Sequence, residues 1–182
     1  MKATRILLSA CILLPVGVAL TQTSCGTKTA SGSTCVAPAP APAAKAAPAC
    51  ASTMFATYKQ AGFDAVNAQI VKLATQTSLV PAIGDSFQTD IVAASTARQT
   101  EFTTNLEDFL IVAFGGPNNY TGPSMVNAHA GLNITSAQYD AFITQVVVPA
   151  LTTVGVASSD ISNCFAPVVT DANFKAQFVT CQ

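Results

Sequence analysis

The 182-residue chain carries one histidine, His129, in the run Phe114-Gly-Gly-Pro-Asn-Asn-Tyr-Thr-Gly-Pro-Ser-Met-Val-Asn-Ala-His129-Ala-Gly-Leu-Asn-Ile-Thr135. A lone imidazole cannot build a multi-histidine metal site, but it can give one axial bond to a haem iron. Six cysteines fall at positions 11, 25, 35, 50, 164 and 181. No pair has the Cys-x-x-Cys spacing, so zinc, a redox dithiol and covalent haem attachment all lose their signature. Serine and threonine are abundant, yet a hydroxyl nucleophile needs a base within reach, and His129 lies outside any Gly-x-Ser-x-Gly setting. Glu107 and Asp108 are adjacent, diverge on a helix, and form no working carboxylate pair. A net charge of -1 leaves no electrostatic footprint for nucleic acid.

The order Gly115-Gly-Pro, Tyr120-Thr-Gly, Met125, His129-Ala-Gly-Leu-x-Ile-Thr resembles the segment around the proximal histidine of group I truncated haemoglobins. The resemblance is strong over 97–156, weak over 54–95 and absent before that. It implies an all-α fold, the two-over-two helical sandwich, with haem b held noncovalently and His129 as its proximal ligand. The glycines would loosen a short, partly unwound segment that carries the histidine. Tyr120, Met125, Leu132 and Ile134 would wall the proximal side, Phe102, Leu106 and Leu110 would face the iron from the opposite helix, and Phe87 would pack on the porphyrin. Arg98, at the start of that helix, either pairs with a haem propionate or ends as a solvated helix terminus.

Two departures bear on ligand choice. The family's distal tyrosine position falls on Ala74 and its distal glutamine on Leu106, so both hydrogen-bond donors are missing. A donor in a dry pocket would stabilise bound dioxygen by about 1.5–3 kcal/mol. NO and CO depend less on such help. Thr103 and Asn105 are the nearby polar residues, and helical geometry turns both away from the Phe102 and Leu106 face. The expected function is binding of O2, NO or CO. The alternatives are an NO dioxygenase served by an electron-donor reductase, a weak peroxidase, and a haem-free surface interaction module of globin shape. Peroxidase chemistry is disfavoured because there is no second histidine and Arg98 is the one arginine beyond the N-terminal segment.

Positioning elements and domain limits follow from periodicity and composition. Lys2 and Arg5 precede an apolar run, Ile6 to Leu20, so 1–25 reads as a signal peptide. Thr23-Ser-Cys25-Gly resembles a lipoprotein cleavage site. Lipid on Cys25 would anchor an exported protein at a periplasmic or cell-surface membrane. Plain secretion is the alternative, and Cys11 lies in a second match to the lipoprotein pattern. Residues 26–52, rich in Ala, Pro and Thr, read as an extended tether, and 53–182 as the globin domain. In an oxidising compartment Cys50 is expected to pair with Cys164 or Cys181, free thiols being the other outcome. Phe102, Leu106, Phe109, Leu110 and Ala113 place one apolar face on a helix from about Thr96 to Phe114, which Gly115-Gly-Pro ends. Thr135-x-x-Gln138 opens a second helix, bent at Pro149 and stopped at Gly155. A last helix from Ser158, interrupted at Pro167, turns Phe165, Val168, Val169, Phe174 and Phe178 inward. Over 55–76 two helices joined near Gly62 are expected.

Overall fold

The computed structural model describes Cys50 and residues 52–180, and it contains helices and no strand among them. The signal peptide of 1–25 and nearly all of the 26–52 tether lie outside the described residues. Helix α1 spans Met54–Ala74 and starts where the Thr53 side chain accepts from the Ala56 amide at 3.1 Å. It is interrupted at Lys59, with φ 56° and ψ -177°, three residues before the expected joint at Gly62. A short turn Thr77–Leu79 leads into α2, Val80–Ile83, and a π-helical segment Phe87–Val92 leads into α3, Thr96–Ala113.

The end of α3 explains the paired glycines. Gly116 donates to the Ile111 carbonyl, and Gly115 adopts φ +87°. A Cβ on Gly115 would meet Thr53 Cγ2 at 2.4 Å, and one on Gly116 would meet the Phe55 ring at 2.8 Å. The glycines therefore do more than stop a helix: they let the first turn of α1 lie on the last turn of α3, tied by Phe55 N–H to Phe114 O at 3.2 Å.

Helix α4 is one short turn, Met125–His129. Next come α5, Ser136–Phe142, and α6, Val148–Thr153, joined without a break through the π-helical segment Ile143–Val147. The capping box at Thr135 forms as expected, with both reciprocal bonds present. Pro149 does not break this helix. The wider π turn immediately before it accommodates the missing N–H and the ring. The same device recurs at Pro167, where α7, Ser158–Asp160, passes through Ile161–Phe165 into α8, Ala166–Val169. Gly155, at φ +84°, supplies the expected stop after α6, and α9, Ala172–Lys175, is the last helix among the described residues.

The core gathers Phe63, Val66 and Ile70 of α1, Ile111 of α3, and Val146, Val147, Ala150 and Leu151 around α6, with Phe165, Val168 and Val169 from the last long helix. Removing such side chains from water, at roughly 1.5–3 kcal/mol each, drives the packing of α1 against α3 and α6. One polar residue enters this interface. Asn67, 2% exposed, donates to the Thr103 carbonyl at 3.0 Å and to Glu107 at 3.3 Å, while its Oδ1 has no partner among the described residues. Cys50 bonds to Cys164, with 5.3 Å between Cα atoms, so of the two expected partners the structure selects Cys164.

Candidate haem-binding site

His129 is the last residue of α4, whose first turn is capped by Ser124 accepting from Asn127 N–H at 3.3 Å. The chain then leaves the helix through Ala130 in extended backbone and Gly131 at φ +82°. Being one turn apart, His129 and Met125 share a face, and His129 Nδ1 lies 2.7 Å from the Met125 carbonyl oxygen. That oxygen can only accept, so Nδ1 carries the proton and donates. Nε2 is left with a free lone pair and has no hydrogen-bond partner among the described residues. Burial pushes the imidazole pKa below its ordinary value of 6.5, outweighing the opposite pull of the Met125 carbonyl. The ring is therefore neutral at pH 7, with the tautomer and orientation that a metal-ligating histidine needs.

What surrounds it is aromatic. Phe178 meets the imidazole edge-on, ring centroids 5.0 Å apart, and itself touches Phe109 at 5.9 Å, Tyr139 at 5.5 Å and Phe174 at 5.2 Å. Phe109 also meets Tyr120 at 6.1 Å. Tyr120 can lie in this position because Gly122 has no Cβ to strike its ring, and its hydroxyl donates to the Pro123 carbonyl. Burial raises the pKa of Tyr139, whose hydroxyl donates to the Val169 carbonyl at 2.9 Å and so stays protonated. Thr180 ties the C-terminal end to the segment just past the histidine, exchanging two bonds with Ile134, each 3.0 Å.

The residues singled out from sequence divide among several places. Met125, Leu132 and Ile134 are half-buried beside His129 in sequence, and Leu132 N–H donates to the His129 carbonyl at 3.2 Å. Phe87 and Phe102 come together, 6.0 Å apart and edge-on, with Phe142 stacked on Phe87 at 5.5 Å. Leu106 is half-buried against the core, whereas Leu110 turns toward Phe63 and Phe114. Phe109, not Leu110, packs against Phe178, the ring that meets His129. At 100° per residue Phe109 lies only about 20° from Phe102 around the helix and Leu110 about 80°, which would have chosen correctly. Arg98 forms an exposed ion pair with Glu101 at 3.1 Å. Ala74 is 1% exposed and fully inside the core. Sequence reasoning turned Phe142, Phe174 and Phe178 inward but did not bring them to the candidate site, because nothing local says which distant part of the chain a ring will meet.

The donor set fits a porphyrin better than a bare ion. No group of three or more His, Cys, Asp or Glu side chains capable of holding a metal exists among the described residues. A macrocycle that brings four nitrogens of its own needs only the single imidazole and apolar surroundings.

Comparison with known proteins points the same way. The profile of the family described as bacterial-like globin matches residues 65–177. A group 1 truncated hemoglobin of Tetrahymena thermophila is 49% identical over 37 residues, 20% of this chain and 31% of the relative. The group 1 truncated hemoglobin of Tetrahymena pyriformis is 44% identical over 41 residues, 22% and 34% of the two chains. The matched segments thus span about a third of these curated relatives. The backbone resembles a crystal structure of a Tetrahymena pyriformis truncated hemoglobin variant in the Fe(III) form, with TM-score 0.55 and 23% identity over 70% of this chain and 98% of that one. A second variant of the same protein gives TM-score 0.54 and 24% identity.

Proposed function

This chain belongs to the bacterial-like globin family, and on that basis we propose that it holds haem b through Nε2 of His129 and serves to bind diatomic gases. The observation that carries the reading is the 2.7 Å bond from Nδ1 to the Met125 carbonyl, which fixes the proton on one nitrogen and leaves the other free to ligate. Haem, when bound, supplies an iron with one further position for O2, NO or CO. The protein's part is binding, orientation and dryness. Met125 aims the imidazole, and Phe178 meets it edge-on, backed by Phe109, which in turn packs on Tyr120. Phe87, Phe102 and Phe142 form a second aromatic group suited to a porphyrin edge. Leu106, in place of a donor, offers a gas no hydrogen bond, which favours NO and CO over O2 in relative terms.

The test is reconstitution with haemin followed by reduction. A stoichiometric Soret band with a haem b pyridine haemochrome is expected, and His129→Ala should bind haem far more weakly and lose the histidine-ligated spectrum. A protein that stays colourless under titration overturns the proposal and leaves the haem-free interaction module. NO-dependent oxidation of the oxy form, with nitrate formed over repeated turnovers when a reductase is supplied, separates NO dioxygenation from gas carriage.

We extend the proposal to location. The Cys50–Cys164 bridge supports an oxidising compartment, in keeping with an exported domain held off a membrane by its tether and a lipid on Cys25. Metabolic labelling with a fatty acid, lost in Cys25→Ser, tests that assignment.

A further inference from the structure

The first turn of α1 is held against the last long helix by unlike fastenings at its two ends. At one end Cys50 is bonded to Cys164. At the other, the Tyr58 hydroxyl donates to Asp160 Oδ2 at 2.6 Å and accepts from Ala157 N–H at 3.0 Å. Between them Phe55 N–H reaches Phe114 O, and Met54 is 7% exposed. Immediately beyond Tyr58 lies Lys59, at φ 56° and ψ -177°, a backbone region that is essentially glycine's own. A non-glycine residue stays there only while its surroundings force it to. If Lys59 relaxed to ordinary helical angles, residues 54–58 would continue the axis of α1 and leave their present seat. Beneath that seat is a cavity of about 30 Å³, lined mainly by apolar side chains, among them Met54, Tyr58, Phe63, Leu110, Phe114 and Phe165.

We propose that residues 54–58 are a redox-latched strap over this apolar cavity, hinged at Lys59 and secured by the Cys50–Cys164 bridge. A dithiol reductant releases it: two electrons and two protons pass to the bridge, Cys50 and Cys164 become thiols, and the reductant leaves as a disulfide. The strap is then held by the Tyr58 bonds, the Phe55 bond, the packing of the Phe55 ring on Phe63 and the burial of Met54, against the relaxation of Lys59. Its opening exposes the remaining apolar wall of the cavity, Phe63, Leu110, Phe114 and Phe165, to small apolar molecules. This inference stands on the bridge and the hinge, and does not depend on haem.

Amide hydrogen exchange of the intact chain, oxidised and after treatment with dithiothreitol, tests it. Exchange at residues 55–58 should accelerate about tenfold or more on reduction, while 60–74 keep their protection. Cys164→Ser should reproduce the reduced pattern without any reductant, which separates this bridge from other thiols in the chain. Lys59→Gly, which relieves the hinge in its bent form, should reduce the acceleration. Unchanged exchange at 55–58 after reduction, or equal acceleration throughout the domain, overturns the strap. Acceleration in reduced Lys59→Gly as large as in the reduced parent overturns the hinge.

Discussion

Haem affinity should depend on pH through His129 in a way set by its burial. Ligation requires the neutral ring, so protonation competes with the iron by the factor 1 + 10^(pKa - pH). Desolvation holds the folded pKa below 6.5. At pH 6.5 the loss of affinity is therefore less than about twofold, whereas each further unit below the folded pKa costs about tenfold, or 1.4 kcal/mol. The same shift sets the sign for the haem-free protein. A histidine with a depressed folded pKa contributes stability that is present above pH 6.5 and is lost as pH falls through its folded value. The assay is haemin titration by Soret absorbance between pH 5 and pH 8, with far-UV circular dichroism to confirm that the fold persists. His129→Gly is the reference, because its weak residual affinity lacks the imidazole and the ratio of the two proteins cancels titration of the haem propionates. Added imidazole should partly restore the spectrum of that variant. A ratio that has already fallen more than twofold at pH 6.5, with the fold intact, would refute the assignment of a buried, Nδ1-protonated ligand.

Other perturbations test the scaffold. The Cys50–Cys164 bridge closes a sequence separation of 114 residues, for which chain entropy gives up to about 4.8 kcal/mol; urea unfolding of Cys164→Ser should show a loss of at least ~2 kcal/mol, and less than ~1 would count against it. Asn67→Leu sacrifices the bonds to Thr103 and Glu107 but also removes an unpartnered buried oxygen, so its stability should stay within about 1 kcal/mol of the parent. Asn67→Asp sets a second carboxylate beside Glu107, whose own pKa burial already raises, and should cost about 3 kcal/mol or more at pH 7. Gly116→Ala drives a methyl group into Ile111 and Phe55 and should cost about 1–3 kcal/mol in thermal or chemical unfolding; a neutral result would mean that α1 does not sit on this turn.

Much of the helical layout was legible because it is local. The limits of α3 follow from an apolar face that ends at Gly115-Gly-Pro, and the start of α5 follows from Thr135 and Gln138, whose reciprocal bonds need only neighbours. Pro149 and Pro167 mark where local reading stops. Proline chemistry predicts a lost hydrogen bond, but whether the helix bends, breaks or widens into a π turn depends on what packs on either side. Lys59 is a clearer case: nothing in its type requests positive φ, and the interruption arises only because Cys50, Met54 and Tyr58 are held by distant partners.

The candidate site divides in the same way. The sequence by itself determined that one imidazole is available and that a mostly apolar helical domain carries it, since these follow from residue type and near-neighbour spacing; the short turn that ends at His129 was implied by the family resemblance, and its bond to Met125 came from the structure. Which rings meet that imidazole was decided by the tertiary structure. Phe178 and Phe109 are far apart in the chain and converge beside His129 because their elements bury apolar faces against a common core, and long-range packing of that kind is a property of the whole chain rather than of any window within it.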